Sequence, residues 1–475
     1  MARIAAEETG AARRTPSIIG RAIDQAKLTR ALRFIIAVAA IGYFFDSFDN
    51  ALISYALPSI AREFELRPEQ LGLVGSAALA GMAVGSLFWG WISDHWGRSI
   101  VFASTILVFA LFTGLAAFAF SAGFVIGVRF LAGTGLGGAI PVDGALLTEY
   151  APARLRGRMG GSLPLAFPLG IFAAAGVGLL IVPTLGWRWL FVVGVLPALL
   201  TYFVRRGIPE SPRWLASRGR LDEAGKSLEY IGIDDDALQR ARQAVAAEGA
   251  PEVQPHARVS ELFRPIYLRR VVHTWSMWFF SSLAGWAFTV WLPTIYATVY
   301  HIELTRTLTY TFLIAGTQVV GRLVAFSLVD RIGRKPVIVY GFVLAGIAAW
   351  LFNLAQTEMA LVLVALLYAF FGDQGSFGMT VYTPEVYPLR IRGLGTSWAM
   401  ALGRTAGAIS PFTVGLLVGS SNIALMWWLM GGCQVVAGLS TLLLAKETRG
   451  VNLEEVSETP DQALGAQPTV RVPAS

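Results

Sequence analysis

The chain has 475 residues, 55% of them hydrophobic and only 15% charged, with a formal net charge of +7. Soluble domains carry about 25% charged residues, so this composition excludes a string of ordinary soluble domains and points to the bilayer. The single cysteine, Cys433, lies in an apolar run and excludes an intrachain disulfide or a cysteine-built metal cluster.

A membrane-spanning helix needs about 20 mainly apolar residues. Twelve such segments are read at 33–56, 69–92, 99–120, 123–147, 157–182, 186–204, 271–297, 307–329, 335–356, 359–383, 392–418 and 421–445. Runs this long are helices, because only a helix satisfies its backbone polar groups within one segment. The fold class is therefore an all-α membrane protein, with twelve transmembrane helices in two six-helix pseudo-repeats. Residues 1–32 read as an N-terminal tail, 33–204 as one bundle and 205–270 as a polar linker with short helices such as LDEAGKSLEYIG. A second bundle follows at 271–445 and a C-terminal tail at 446–475. Both tails read as mobile. With the N-terminus inside, the Lys and Arg residues fall on the cytoplasmic side, with few exceptions. Those are Arg62, Arg67, Arg188 and Arg306 in outer loops and Arg129, Arg322 and Arg404 inside spans. This is a positive-inside pattern, and it explains the basic balance without nucleic acid.

In the first span Tyr43, Phe44, Phe45 and Phe48 accompany two acids, Asp46 and Asp49. A rise of 1.5 Å per residue puts Asp46 roughly 20 Å and Asp49 roughly 24 Å above the inner edge. Arg129, descending in the fourth span, lies about 21 Å above the same edge. Asp49 and Arg129 are thus expected at one level. A buried guanidinium needs an anion, and a carboxylate drawn away from it takes a proton. Asp49, Asp46 and Arg129 are the proton-coupling candidates, with a static ion pair as the alternative. Asp143, near the inner end of the fourth span, reads as a salt-bridge member.

Trp286 in the seventh span and Phe370 in the tenth join Tyr43 as cavity aromatics suited to stacking on a flat ring. Gln318, in the eighth span, is grouped with the substrate contacts, and Arg322 of the same span reads as structural. Asp373 and Gln374, in the Gly-flanked GDQGSFG of the tenth span, read as gating or binding residues. Arg404, roughly 15 Å up the eleventh span, stands at the midplane. A guanidinium there can hold a substrate carboxylate bidentately; the alternative is an internal pair with Asp373. Pro141, Pro164, Pro168, Pro293 and Pro411 can bend their helices.

The chain also repeats itself. SDHWGRS, with Asp94, Gly97 and Arg98, returns as VDRIGRK, with Asp330, Gly333 and Arg334. TEYAPARLRGR, with Glu149, Arg154, Arg156 and Gly157, returns as PEVYPLRIRGL, with Glu385, Arg390, Arg392 and Gly393. Each pair is 236 positions apart. Parallel repeats about a shared site are one design of secondary transporters. Basic loops alone account for the arginines but not for acids at the same offset. Asp94, Arg98, Glu149, Arg156, Glu210, Asp330, Arg334, Glu385, Arg392 and Glu447 are therefore read as gate groups at the inner helix ends, pairs that break on opening.

These residues resemble the major facilitator superfamily along nearly the whole chain. Gly90-x-x-x-Asp94-x-x-Gly97-Arg98 is similar to its signature loop between helices 2 and 3, and Arg129-Phe-Leu-Ala-Gly133-Thr-Gly135-Leu-Gly137-Gly138 to its helix 4 motif. Pro209-Glu210-Ser211-Pro212-Arg213-Trp214-Leu215 and Glu447-Thr448-Arg449-Gly450 resemble the branch of sugar porters, organic-ion transporters and synaptic vesicle glycoproteins. Phe44-Phe45-Asp46-Ser47-Phe48-Asp49, Trp291-Leu292-Pro293-Thr294 and Gly403-Arg404 look closer to the bacterial niacin-type and aromatic-acid proton symporters. The resemblance implies a helix 1 acid, Asp49, paired with the helix 4 Arg129, an anion-holding Arg404 and an inner charge network. The seventh span, SSLAGWAFTVWLPT, lacks the glutamine-rich pattern of hexose binding.

No cofactor and no metal are expected. The expected partners are a small organic substrate, the proton and the lipid bilayer, with the chain working as a monomer. His95, His256, His273 and His301 are scattered, and no phosphate-binding Gly-x-x-x-x-Gly-Lys-Ser/Thr loop is present, since Gly225-Lys226-Ser227 has Arg220 where that loop needs its first glycine; this argues against an enzyme and against ATP drive. The reading is a secondary transporter of the inner (plasma) membrane. It would import a small, nicotinate-like organic carboxylate with protons by alternating access. Export of a drug or metabolite, or transport of a sugar or organic cation, stays open beside it.

Overall fold

The structure, a computed structural model, describes residues 18–20, 22–24, 28–150, 152–197, 207–236, 238–239, 258–388 and 390–449. Side chains at 94, 139–148, 153–163 and 217 lie outside the description, so the expectations for Asp94, Asp143 and Arg156 fall outside the described residues. The long helices are α1 (Arg30–Glu63), α2 (Pro68–Trp96), α3 (Arg98–Leu115), α4 (Ala122–Tyr150) and α5 (Ala153–Leu185), followed by the short α6 (Arg188–Val193). After the linker come α7 (Pro265–Thr298), α8 (Leu304–Ile332), α9 (Arg334–Leu351), α10 (Glu358–Glu385), α11 (Arg392–Gly419) and α12 (Ile423–Leu444). Nine helices among the described residues are long and apolar enough to cross a membrane. α7 is not one of them, although it runs for 34 residues. His273, Thr274, Ser276, Ser281 and Ser282 lower its mean hydropathy.

Local chemistry sets the helix ends. Thr29 caps α1, its hydroxyl accepting from the Leu32 N–H at 3.2 Å, so α1 begins before the expected position 33. Pro68 occupies the first turn of α2, where its missing N–H costs nothing. α2 and α4 cross through glycines: a Cβ on Gly81 or Gly85 would strike the backbone of Phe130 or Thr134, and one on Gly133 or Gly137 that of Ala78 or Met82. Only side chains of no size allow two backbones this close.

The chain sorts into two compact units, one of residues 1–253, 286–319 and 407–426, the other of 254–285, 320–406 and 427–475. These units are not the two sequence halves, because segments of α7, α8 and α11 pack within the first. There α2 meets α11: Phe412 N donates to Ser76 Oγ at 3.1 Å, and Trp291 Nε1 of α7 donates to the Pro411 carbonyl at 2.8 Å. Pro411 interrupts the α11 ladder by lacking an N–H, and these two bonds tie α2 and α7 to α11 at that point.

The N-terminal segment differs from the mobile tail expected for it. Residues 18–20 and 22–24 are helical. Ile19, Ala22 and Ile23 are buried in one cluster with Ile208, Trp214, Leu215, Leu228 and Ile231 of the linker. Asp24 pairs with Arg213 at 3.9 Å, and the Thr29 hydroxyl donates to the Ile231 carbonyl at 3.0 Å. The spacing of Ile19, Ala22 and Ile23 places their side chains on one helical face. The linker itself forms short helices at Pro212–Ser217 and Leu221–Tyr230, the second as its amphipathic pattern suggests. At its start Arg220 grips Glu223 through 2.7 and 2.6 Å hydrogen bonds and holds that carboxyl below its usual range.

Candidate functional site

The most buried charges in the first unit are Asp49 and Arg129, both fully excluded from solvent. α1 and α4 bring them together, with Arg129 NH1 2.9 Å from Asp49 Oδ2. Arg129 NH2 reaches the Asp49 carbonyl at 3.2 Å, and the guanidinium lies 5.7 Å from the centre of the Phe191 ring of α6. The other carboxylate oxygen, Oδ1, accepts from the Thr113 hydroxyl of α3 at 2.5 Å. Thr113 Oγ1 in turn accepts from Arg129 NH1 at 3.2 Å. A desolvated pair is retained when hydrogen bonds fill its remaining positions, and breaking it by losing one partner is costly. Asp46, one turn earlier on α1, is 1% exposed, and its carbonyl accepts from Asn50 Nδ2 at 2.9 Å.

The second unit holds another interior pair. Arg322 Nε and NH2 of α8 each contact one oxygen of Asp373 on α10 at 2.7 Å, with the Phe377 ring 5.6 Å from the guanidinium. Asp373 thus pairs with Arg322, the arginine read as structural, and the alternative of an internal Arg404–Asp373 pair gives way to this one. Gln374 turns to Tyr340, whose hydroxyl donates to Oε1 at 2.5 Å, and it is 1% exposed. Phe370 of the same helix meets Phe371 edge-on at 5.2 Å. Arg404 is half-buried on α11.

Aromatics of the first unit form a run from α1 to α7. Tyr43 meets Phe167 at 6.1 Å and Phe167 meets Trp286 at 6.5 Å, both edge-on. Gln318 lines a small pocket of about 20 Å³ with Tyr55, Ile171, Phe288, Thr289, Pro293 and Thr311. That volume holds a water molecule, not a ring.

The repeated motifs build two matching stations. At the first, Glu210 accepts from the backbone N–H of Arg98 at 2.7 Å and of Ser99 at 3.2 Å, capping α3. The Arg98 side chain reaches Glu149 at 3.2 Å, and Tyr150 donates to the carbonyls of Pro209 and Glu210. At the second, Glu447 accepts from the N–H groups of Arg334 and Lys335 at 3.0 Å, capping α9. Arg334 holds Glu385 at 3.1 and 3.2 Å and Asp330 at 3.0 Å, and Thr448 donates to Glu385 at 2.6 Å. Gly97 and Gly333 lead into these helices at φ 104° and 103°. At both, a Cβ would run into the capping glutamate. Arg392 points its Nε at the Tyr387 carbonyl, 3.3 Å away.

Sequence reasoning missed Thr113 and the pairing of Arg322. A depth count carried one step further finds the latter. Arg322 lies eight residues before Asp330, about 12 Å from the station end of its helix, and Asp373 twelve residues before Glu385, about 18 Å; an extended arginine bridges the difference. No sequence signal marks Thr113, one threonine of an apolar helix.

Comparison with known proteins places the chain. Residues 35–459 match the family described as "Sugar (and other) transporter". The niacin transporter of Acinetobacter baylyi is 31% identical over 435 residues, covering 89% of this chain and 95% of that protein. The 4-hydroxybenzoate transporter of the same organism is 28% identical over 407 residues, covering 84% and 88%. Among solved structures, the inward-open xylose transporter of Escherichia coli superposes with a TM-score of 0.73 at 22% identity, covering 91% of this chain and 99% of that one. The chain belongs to the Sugar (and other) transporter family of the major facilitator superfamily. It is a multi-pass membrane transporter with the twelve-helix fold of that superfamily.

Proposed function

We propose that the protein is a proton-coupled symporter that imports a small aromatic carboxylate of the nicotinate kind by alternating access. The observation that carries the proposal is the Asp49–Arg129 pair, 2.9 Å apart and wholly desolvated in the first unit. Its charge state is coupled to its geometry. Held by Arg129, the carboxylate stays ionised; moved away in a dry interior, it takes a proton. A proton from the acidic side loads Asp49 in one conformation, and re-forming the pair expels it in the other. Asp46, one turn away, serves as the relay.

For the cargo we propose a ring stacked on Tyr43 and Trp286 and a carboxylate held by Arg404. The niacin and 4-hydroxybenzoate transporters among the relatives, both ring carboxylates by name, support that choice. Both tails and the linker lie on the cytoplasmic side in this reading, and the chain works as a monomer. The two stations keep the inner side shut while the outer side is open, and Asp94, Arg156 and Arg392 act as further gate groups in this reading.

The cargo half of the proposal is tested by thermal shift of purified protein with nicotinate, nicotinamide, 4-hydroxybenzoate and xylose. The two carboxylates are expected to raise the melting temperature and the neutral compounds to leave it unchanged, with Arg404→Ala abolishing the response. Stabilisation by nicotinamide equal to that by nicotinate would remove the carboxylate from the account.

A further inference from the structure

The acid and the base of the buried pair share a third residue. Thr113 is fully buried on α3, and its hydroxyl stands between them, donating to Asp49 Oδ1 at 2.5 Å and accepting from Arg129 NH1 at 3.2 Å. Its methyl group fixes which way the hydroxyl faces. A Cβ added to Gly194 would lie 2.5 Å from Thr113 Cγ2, so the methyl fills a space that a glycine leaves open. A β-branched side chain packed on one arm has little freedom at χ1. Asp49 is faced by Arg129 from α4 and by Thr113 from α3, and Asp46 precedes it by one turn on its own helix.

A threonine hydroxyl can both give and take a hydrogen bond. While Asp49 is ionised, the hydroxyl donates to it. When a proton from water arrives on Oδ1, that carboxyl becomes the donor and the same oxygen accepts, after only a rotation of the hydroxyl hydrogen. The proton later returns to water, and no covalent bond of the chain is broken. We propose that Thr113 is the positioning residue of the proton site, keeping Asp49 bonded in both of its protonation states. This rests on Asp49 being the proton carrier.

The bond to the ionised form is charge-assisted and is the stronger of the two. Removing it therefore weakens the hold on the ionised carboxylate relative to the protonated one, and the pH dependence of the site should change.

The test uses the full-length protein in lipid, with two readouts. Infrared difference spectra follow the protonated-carboxyl C=O band that Asp49→Asn removes, and uptake of radiolabelled nicotinate into proteoliposomes is followed against pH. Thr113→Val is expected to displace the pH dependence of the band from that of wild type, with the uptake profile moving alongside. Thr113→Ser is expected to return both toward wild type, and Gly194→Ala, which displaces the methyl, to shift them in the same direction as valine. An Asp49 band that titrates identically in wild type and Thr113→Val would overturn the role of Thr113 while leaving the carrier in place. If no Asp49-dependent band titrates at all, the carrier assignment itself falls, and the Thr113 proposal with it.

Discussion

Arg322 clasps Asp373 with two parallel hydrogen bonds of 2.7 Å inside the second unit, side chains 7% and 10% exposed. The first unit carries its interior pair on α1 and α4, the second on α8 and α10. The repeat that governs the helix ends therefore does not govern the interior charges. Counting 236 positions back from Asp373 and Arg322 arrives at Gly137 and Ser86, neither of which can be charged.

Neutralising one partner of this clasp should harm the fold more than neutralising both. Asp373→Asn strands a buried guanidinium and is expected to cost about 3–5 kcal/mol. Arg322→Met combined with Asp373→Leu is expected to recover much of that loss. Melting curves of the single and double variants in detergent check the order.

The two stations make a paired prediction. Glu210→Ala and Glu447→Ala each leave the first N–H groups of a helix without their acceptor, at about 1–2 kcal/mol apiece. Gly97→Ala and Gly333→Ala add backbone strain at φ above 100° to a collision with the same glutamates, so each should exceed its glutamate partner in lost stability. Thermal melting ranks the four.

At the seam of α2, α7 and α11, Trp291→Phe removes the 2.8 Å bond to the Pro411 carbonyl. The variant should loosen the seam. The only native cysteine, Cys433, is buried, so a cysteine introduced at Ser76 reads the change against low background. Its labelling rate is expected to rise several-fold in Trp291→Phe.

Docking of the N-terminal segment predicts that residues before α1 contribute to stability. Ile23 is fully buried against the linker cluster, and Ile23→Ala should cost about 2–5 kcal/mol. Leu28, exposed nearby, serves as the control: Leu28→Ala should change melting little.

Much of the fold was legible because the bilayer restricts the options. Twelve long apolar runs, basic loops on one side and a strict 236-residue repeat leave few arrangements. Depth narrowed the partner of Arg129 to Asp46 or Asp49, since a buried arginine demands an acid near its level, and the resemblance chose Asp49. What was not legible depends on azimuth around the helix axis, which depth does not carry. Asp373 could face either Arg322 or Arg404, and the structure turns it to Arg322. Thr113 was invisible because a threonine in a span ordinarily bonds its own helix backbone, as Thr105 does to the Phe102 carbonyl at 2.8 Å. The N-terminal segment was mistaken for a free tail because its few apolar residues make a single short stripe, significant only once the linker supplies a surface to cover.

Proton coupling through Asp49 is tested most directly by radiolabelled nicotinate uptake into proteoliposomes, with and without an imposed gradient, acidic outside. Wild type should concentrate nicotinate only when the gradient is present. Asp49→Asn should keep exchanging nicotinate for nicotinate across the membrane at equal pH yet fail to concentrate it. Full gradient-driven accumulation by Asp49→Asn would contradict the account.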